Sequence, residues 1–131
     1  MPHVLPAAES YRGRAYRDGN GNTECVEFIK QTLGAPVTSA WRQGVQVQKL
    51  AARERDPIAK GTAIATFVSG VYPQHGSTGK HAAIYLGQNA DGIQVMDQWR
   101  SQGQVLPRTI PWVARRPGLS NDGTAFSVIE W

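Results

Sequence analysis

The run "HAAIYLGQNADGIQVMDQW", residues 81–99, constrains the fold more than any other stretch of the chain. Two apolar segments rich in β-branched and aromatic residues flank the turn-forming "QNADG", a pattern that predicts an antiparallel hairpin. The apolar run that follows "KGT" predicts a buried strand over Thr62 to Val68. A weaker strand is expected over Leu106 to Trp112, and "AFSVIEW" supplies another at the C-terminus. A short helix is predicted over Thr38 to Gly44, while "VQVQKLAARERD" alternates in its first half and is helix-prone in its second.

The main helix is predicted from about Glu24 to Leu33. Thr23 or Asn22 can cap it, Gly34 and Pro36 close it, and Cys25, Phe28, Ile29 and Leu33 fall on one apolar stripe. With 14 Gly and 8 Pro among 131 residues, short elements joined by turns are favoured over a helical bundle. The expectation is a single α+β domain over residues 1–131, its helix packed on an antiparallel sheet of four to six strands.

A net charge of +4 suits an anionic partner, but the basic residues are scattered and no nucleic-acid motif accompanies them. The single cysteine excludes an intramolecular disulfide and a zinc site of several thiolates. No cofactor or metal is expected. "MPHVLPAAES" lacks the basic and apolar regions of a secretory signal, and no run is long enough to span a membrane. A chain made in the cytoplasm without a signal peptide is therefore expected.

Cys25 falls in the first helical turn, after the open, Gly- and Asn-rich "DGNGNTEC". A reactive cysteine needs a lowered pKa or a nearby base. The helix end favours a thiolate, whereas Glu24 and Glu27 oppose it, so a histidine is required. The alternative is an inert cysteine buried in the apolar stripe. His3 lies in an N-terminal segment expected to be loose, and His75 sits in the middle of a polar loop. His81, at the start of a strand, is the candidate base.

With Gly87 set opposite Ile93, His81 falls opposite Trp99, and Asp97 is its diagonal neighbour on the same face. A one-residue slip would part them. An acid among Ile93, Val95 and Trp99 needs a partner if buried, and the imidazole needs an orienting acceptor. The other reading of Asp97 is an acid facing water.

Together, "TECVEFI", "KGTAIATF", "GKHAAIYLG" and "MDQW" resemble the ordered motifs of the papain-like cysteine amidases of bacterial cell walls, the CHAP and NlpC-type families. Thr62 stands where an acid is usual, Lys80 is inserted between Gly79 and the histidine, and Asp97 with Trp99 replaces the "E…N" of a CHAP "EQN". The chain also resembles small amidase effectors of type VI secretion.

The resemblance implies a papain-like fold and a Cys25–His81–Asp97 triad that hydrolyses amide bonds in peptidoglycan peptides. It further implies delivery to a rival's periplasm, and a carrier or immunity protein as partner. The backbone N–H of Cys25 is one oxyanion donor. Gly19 stands where such enzymes often carry a glutamine, so the second donor is open among Asn20, Asn22 and Tyr16. Trp41 and Trp99 are candidates to line a substrate groove, with burial in the core as the alternative, and the Gly70–Lys80 loop is a candidate lid. Two rival functions stand beside the amidase: a papain-fold protease or deamidase toxin acting on proteins, and a non-catalytic basic binding module.

Overall fold

The computed structural model describes residues 2–75 and 79–131. One helix, α1 (Cys25–Leu33), packs on an antiparallel sheet of six strands: β1 (Arg42–Gln46), β2 (Ala63–Thr66), β3 (Ala82–Gln88), β4 (Gly92–Asp97), β5 (Leu106–Pro111) and β6 (Phe126–Glu130). Their order across the sheet is β1-β6-β2-β3-β4-β5. The fold is α+β, as the alternation of apolar runs and turns predicts.

The sheet is covered on both faces. Phe28 and Ile29 of α1 meet Ala63, Ala82, Ile84 and Met96 on one side. On the other, Ile64, Tyr85, Ile93, Val95 and Phe126 are sealed by Val47, Ile58 and Trp112 from the connecting segments. Burial on both sides explains why β2 reads as a continuous apolar run instead of an alternating one.

α1 ends as expected, on Gly34 with φ of 65°, but it starts differently. Its N-cap is Glu24, not Thr23 or Asn22, and no side chain caps it. Thr23 is committed elsewhere: its hydroxyl donates to the carbonyl of Trp99 at 3.0 Å. The helix predicted over Thr38 to Gly44 shrinks to one 3₁₀ turn, Thr38–Ala40. Trp41 is then extended and fully buried, and the chain runs on as edge strand β1 against β6. The N-terminal segment is tied down: the Ala63 N–H donates to the His3 carbonyl, Leu5 N–H to that of Gly61, and His3 stacks on Trp131 at 3.4 Å.

In the β3–β4 hairpin, Gly87 faces Gln94, and Gln88 faces Ile93, one residue away from the expected pairing. A bulge between Tyr85 and Gly87 absorbs the difference, with Gly87 at φ 143°. Beyond it Tyr85 faces Val95 and Ile84 faces Met96, the predicted register. His81 and Asp97 therefore share a face.

Candidate active site

Three separate segments meet where α1 begins and β4 ends. Gln98, fully buried, joins them: its Nε2 donates to the carbonyls of Tyr16 (2.7 Å) and Glu24 (2.8 Å), and its Oε1 accepts from the Tyr16 N–H. With the Thr23–Trp99 bond, this fixes the first turn of α1, and so Cys25, against the end of β4.

His81 immediately precedes β3. Its N–H donates to the Thr66 hydroxyl at 3.0 Å and its carbonyl accepts from the Thr66 N–H. The ring stands edge-on to Trp99 and Phe126. Asp97, with no exposed surface, accepts at Oδ2 from His81 Nε2 (2.7 Å) and from Arg108 Nε (2.8 Å). Its Oδ1 has no hydrogen-bond partner among the described residues. With Nε2 held by the acid, Nδ1 is the ring nitrogen that Asp97 leaves unengaged.

Cys25 is half-buried at the head of α1, with its Sγ 3.8 Å from the Tyr72 hydroxyl. Burial works against its thiolate. It is outweighed by hydrogen bonding to and the charge of His81, by the Ala82 N–H, and by Tyr72, so the thiol is lowered from its ordinary 9.0. Burial likewise opposes an imidazolium at His81, yet the bond to Asp97 and the influence of the Cys25 sulfur prevail and raise it to about 9. The Tyr72 hydroxyl is pushed up by burial and by the adjacent sulfur, so it stays protonated and able to donate. Glu24 and Glu27 are engaged by Arg100 and by Lys30, which offsets the negative charge that the sequence sets beside the thiol.

The remaining candidates divide. Trp99 lines a cleft of about 370 Å³ with Lys80, His81, Arg108, Ser120 and Asn121. Tyr16 is half-buried and stacks on Phe28 at 5.5 Å. Trp41 belongs to the core instead of a groove wall: it is fully buried against Tyr72 and Trp131 and donates its indole N–H to the Pro36 carbonyl. Asn20 and Asn22 act through their backbone, both N–H groups donating to Asp18 Oδ1 in a tight turn. His3 is held against Trp131 and His75 is exposed. The centre of the expected lid, residues 76–78, lies outside the described residues.

Sequence reasoning passed over three residues. Arg108 was legible in principle, because "LPRTIP" alternates and puts the arginine on the inward side with Leu106 and Ile110. Gln98 stands in the middle of "DQW", matching the CHAP triplet at its central residue. Tyr72 lies in a loop where no periodicity points to it. Among the described residues, no group of three or more His, Cys, Asp or Glu is gathered to hold a metal ion, and no helix is long and apolar enough to cross a membrane.

Comparison with known proteins agrees with this architecture. The chain is 42% identical to the type VI secretion amidase effector 2 protein of Salmonella typhi, over 99% of its own length and 100% of that protein. A solved structure of type 6 secretion amidase effector 2 (Tae2), 35% identical, superposes with a TM-score of 0.80 over 98% of this chain and 94% of that one. The family described as domesticated amidase effector 2 matches residues 4–129, and the chain belongs to that family.

Proposed function

We propose that this amidase-family chain hydrolyses an amide bond in peptidoglycan peptides, with Cys25 as nucleophile, His81 as proton carrier and Asp97 as the group that orients it. The observation that carries the reading is the buried His81–Asp97 bond of 2.7 Å beside a thiol whose pKa is lowered by the same imidazole. The Cys25 thiolate attacks the amide carbon and forms a C–S bond. The carbonyl electrons move onto oxygen, and the Cys25 N–H, which has no acceptor within its own helix, donates to the oxyanion. The Tyr72 hydroxyl is the supported second donor, in place of Asn20, Asn22 or Tyr16. As the C–N bond breaks, the His81 imidazolium gives its proton to the departing amine. Neutral His81 then takes a proton from water, whose oxygen attacks the thioester and releases the carboxylic acid and the thiolate. Throughout, Asp97 holds Nε2 as a donor and so keeps Nδ1 for the transfer.

The whole of residues 1–131 forms one catalytic domain. The relatives' names, which specify type VI secretion, support delivery to a target cell's periplasm, where peptidoglycan is met, and an inhibitor protein in the cell that makes it. Incubation with purified sacculi, followed by separation of the muropeptides, is expected to show new fragments with the wild type and none with Cys25→Ala. Unchanged muropeptides, or cleavage that survives Cys25→Ala, would remove this reading. Release of ammonia from glutamine-containing proteins would favour the deamidase.

A further inference from the structure

We propose that the cleft beside His81 is a carboxylate receptor, in which the free end of Arg108 and the ammonium of Lys80 hold a carboxylate of the peptide being cut. The proposal rests on the amidase reading above and names what else its substrate must carry.

The cleft adjoins the reacting imidazole and is lined by Lys80, His81, Trp99, Arg108, Ser120 and Asn121, with no acidic residue among them. Asp97 lies behind it with no exposed surface. Arg108 spends Nε on Asp97 and lays its guanidinium over the Trp99 ring, 5.0 Å from the centroid. Its two terminal nitrogens have no protein partner among the described residues, and the side chain keeps a quarter of its surface exposed. Held at Nε and across one face, the outer fork is already oriented for two parallel bonds to a planar anion.

The charges agree. Arg108 is balanced by Asp97, and an ionised Cys25 by His81, which leaves the Lys80 ammonium as the unbalanced charge of the cleft. Lys80 Nζ donates to the Gln74 carbonyl at 3.3 Å and retains two further donors. The opposite wall is fixed as well. Gly79 and Gly118 meet backbone to backbone, both at positive φ, and a Cβ on Gly79 would come within 2.8 Å of the Gly118 Cα. That contact anchors the turn carrying Ser120 and Asn121 beside Lys80 and His81. An amide lying over Cys25 and His81 thus has, one cleft away, a site built for the anionic group of its own peptide.

Binding separates this from the chemistry. Cys25→Ala protein is titrated calorimetrically with a peptidoglycan stem tetrapeptide, and with the same peptide amidated either at its C-terminus or at its side-chain carboxylates. One of the amidated forms is expected to bind roughly ten- to a hundredfold more weakly, and which one identifies the carboxylate. Arg108→Gln is expected to erase the discrimination and Arg108→Lys to restore part of it. Lys80→Gln, on the surface and away from Asp97, is expected to reduce it several-fold without loss of thermal stability. Equal affinity for all three peptides, or no binding of any, would overturn the receptor, as would discrimination that survives both Arg108→Gln and Lys80→Gln. Hydrolysis of sacculi without discrimination would sink the receptor and leave the amidase standing; discrimination without hydrolysis would do the reverse.

Discussion

Removing the sulfur of Cys25 should change how the stability of the protein depends on pH, and in a direction that the geometry dictates. In the folded protein His81 keeps its proton up to about 9, while an unfolded imidazole loses it near 6.5. Taken alone, His81 stabilises the fold fully below pH 6.5, and that contribution disappears as pH rises through 9. Cys25 works the other way. Its pKa is lowered from 9.0, so its contribution is present above 9 and is lost as pH falls through the folded value. Where the folded pair is thiolate and imidazolium and the unfolded pair is thiol and imidazole, both states bind one proton. The wild type should therefore show little slope from this pair over the part of the window between 6.5 and 9 that lies above the folded pKa of Cys25. Cys25→Ala removes the compensating half. The elevation of His81 corresponds to on the order of 3 kcal/mol, and the part due to Asp97 survives in the variant, so about 1–2 kcal/mol should drain away across the window. For a domain of this size that is a fall in Tm of about 3–10 °C relative to the wild-type profile. Thermal melts of both proteins at half-unit pH intervals measure it, and other titrating groups cancel in the difference between the two curves. Parallel profiles would refute the shared proton.

Two further perturbations test the parts around that pair. Asp97→Asn keeps the shape and removes the strongest support for the imidazolium, so turnover should fall roughly 10²–10⁴-fold, and the pH at which Cys25 becomes alkylated by iodoacetamide should rise by about a unit or more. Hydrolysis within about threefold of wild type, with an unshifted alkylation profile, would remove Asp97 from the mechanism. Gln98→Ala leaves the carbonyls of Tyr16 and Glu24 and the Tyr16 N–H without their buried partner, at a cost of about 2–4 kcal/mol and a Tm lower by about 10 °C. A Tm within about 2 °C of wild type would mean that Gln98 does not hold the head of α1.

What could be read from the amino acids, and what could not, follows from the range of the forces involved. α1 was legible because an apolar stripe and a terminal glycine are local features, and the β3–β4 hairpin because alternation and turn residues lie within one short segment. The bulge at Gly87 was not, since glycine reports freedom of φ without saying that it will be used. That omission spared the site: the register is displaced only on the turn side of the bulge, so His81 and Asp97 keep the relation assigned to them. Trp41 was ambiguous because an aromatic residue in a polar stretch is a groove wall or a core plug according to what a distant strand lays over it. Here Tyr72 and Trp131, far along the chain, decide for the core. Tyr72 itself became visible only when its loop folded back over α1.

The same distinction explains why the acids beside Cys25 do not silence it. On the sequence, Glu24 and Glu27 place two negative charges in the turn where the thiolate must form. In the structure Glu24, a third exposed, pairs with Arg100, and Glu27 pairs with Lys30 and accepts from Gln31, so each carboxylate is met by a cation of its own. The groups that favour the thiolate are different in kind: a nearly buried imidazole, the Ala82 N–H, and the Tyr72 hydroxyl, which lies 3.8 Å from the sulfur. Interactions made directly around the sulfur outweigh those of carboxylates already neutralised by their own cations. Ionisation of Cys25 is thus controlled by the residues that fold long-range around it, and Asp97 governs it at one remove through His81. Arg108 binds Asp97 on the cleft side, so under the proposed mechanism a change at Arg108 is expected to reach both proton transfer and the cleft, whereas a change at Lys80 is expected to reach the cleft alone.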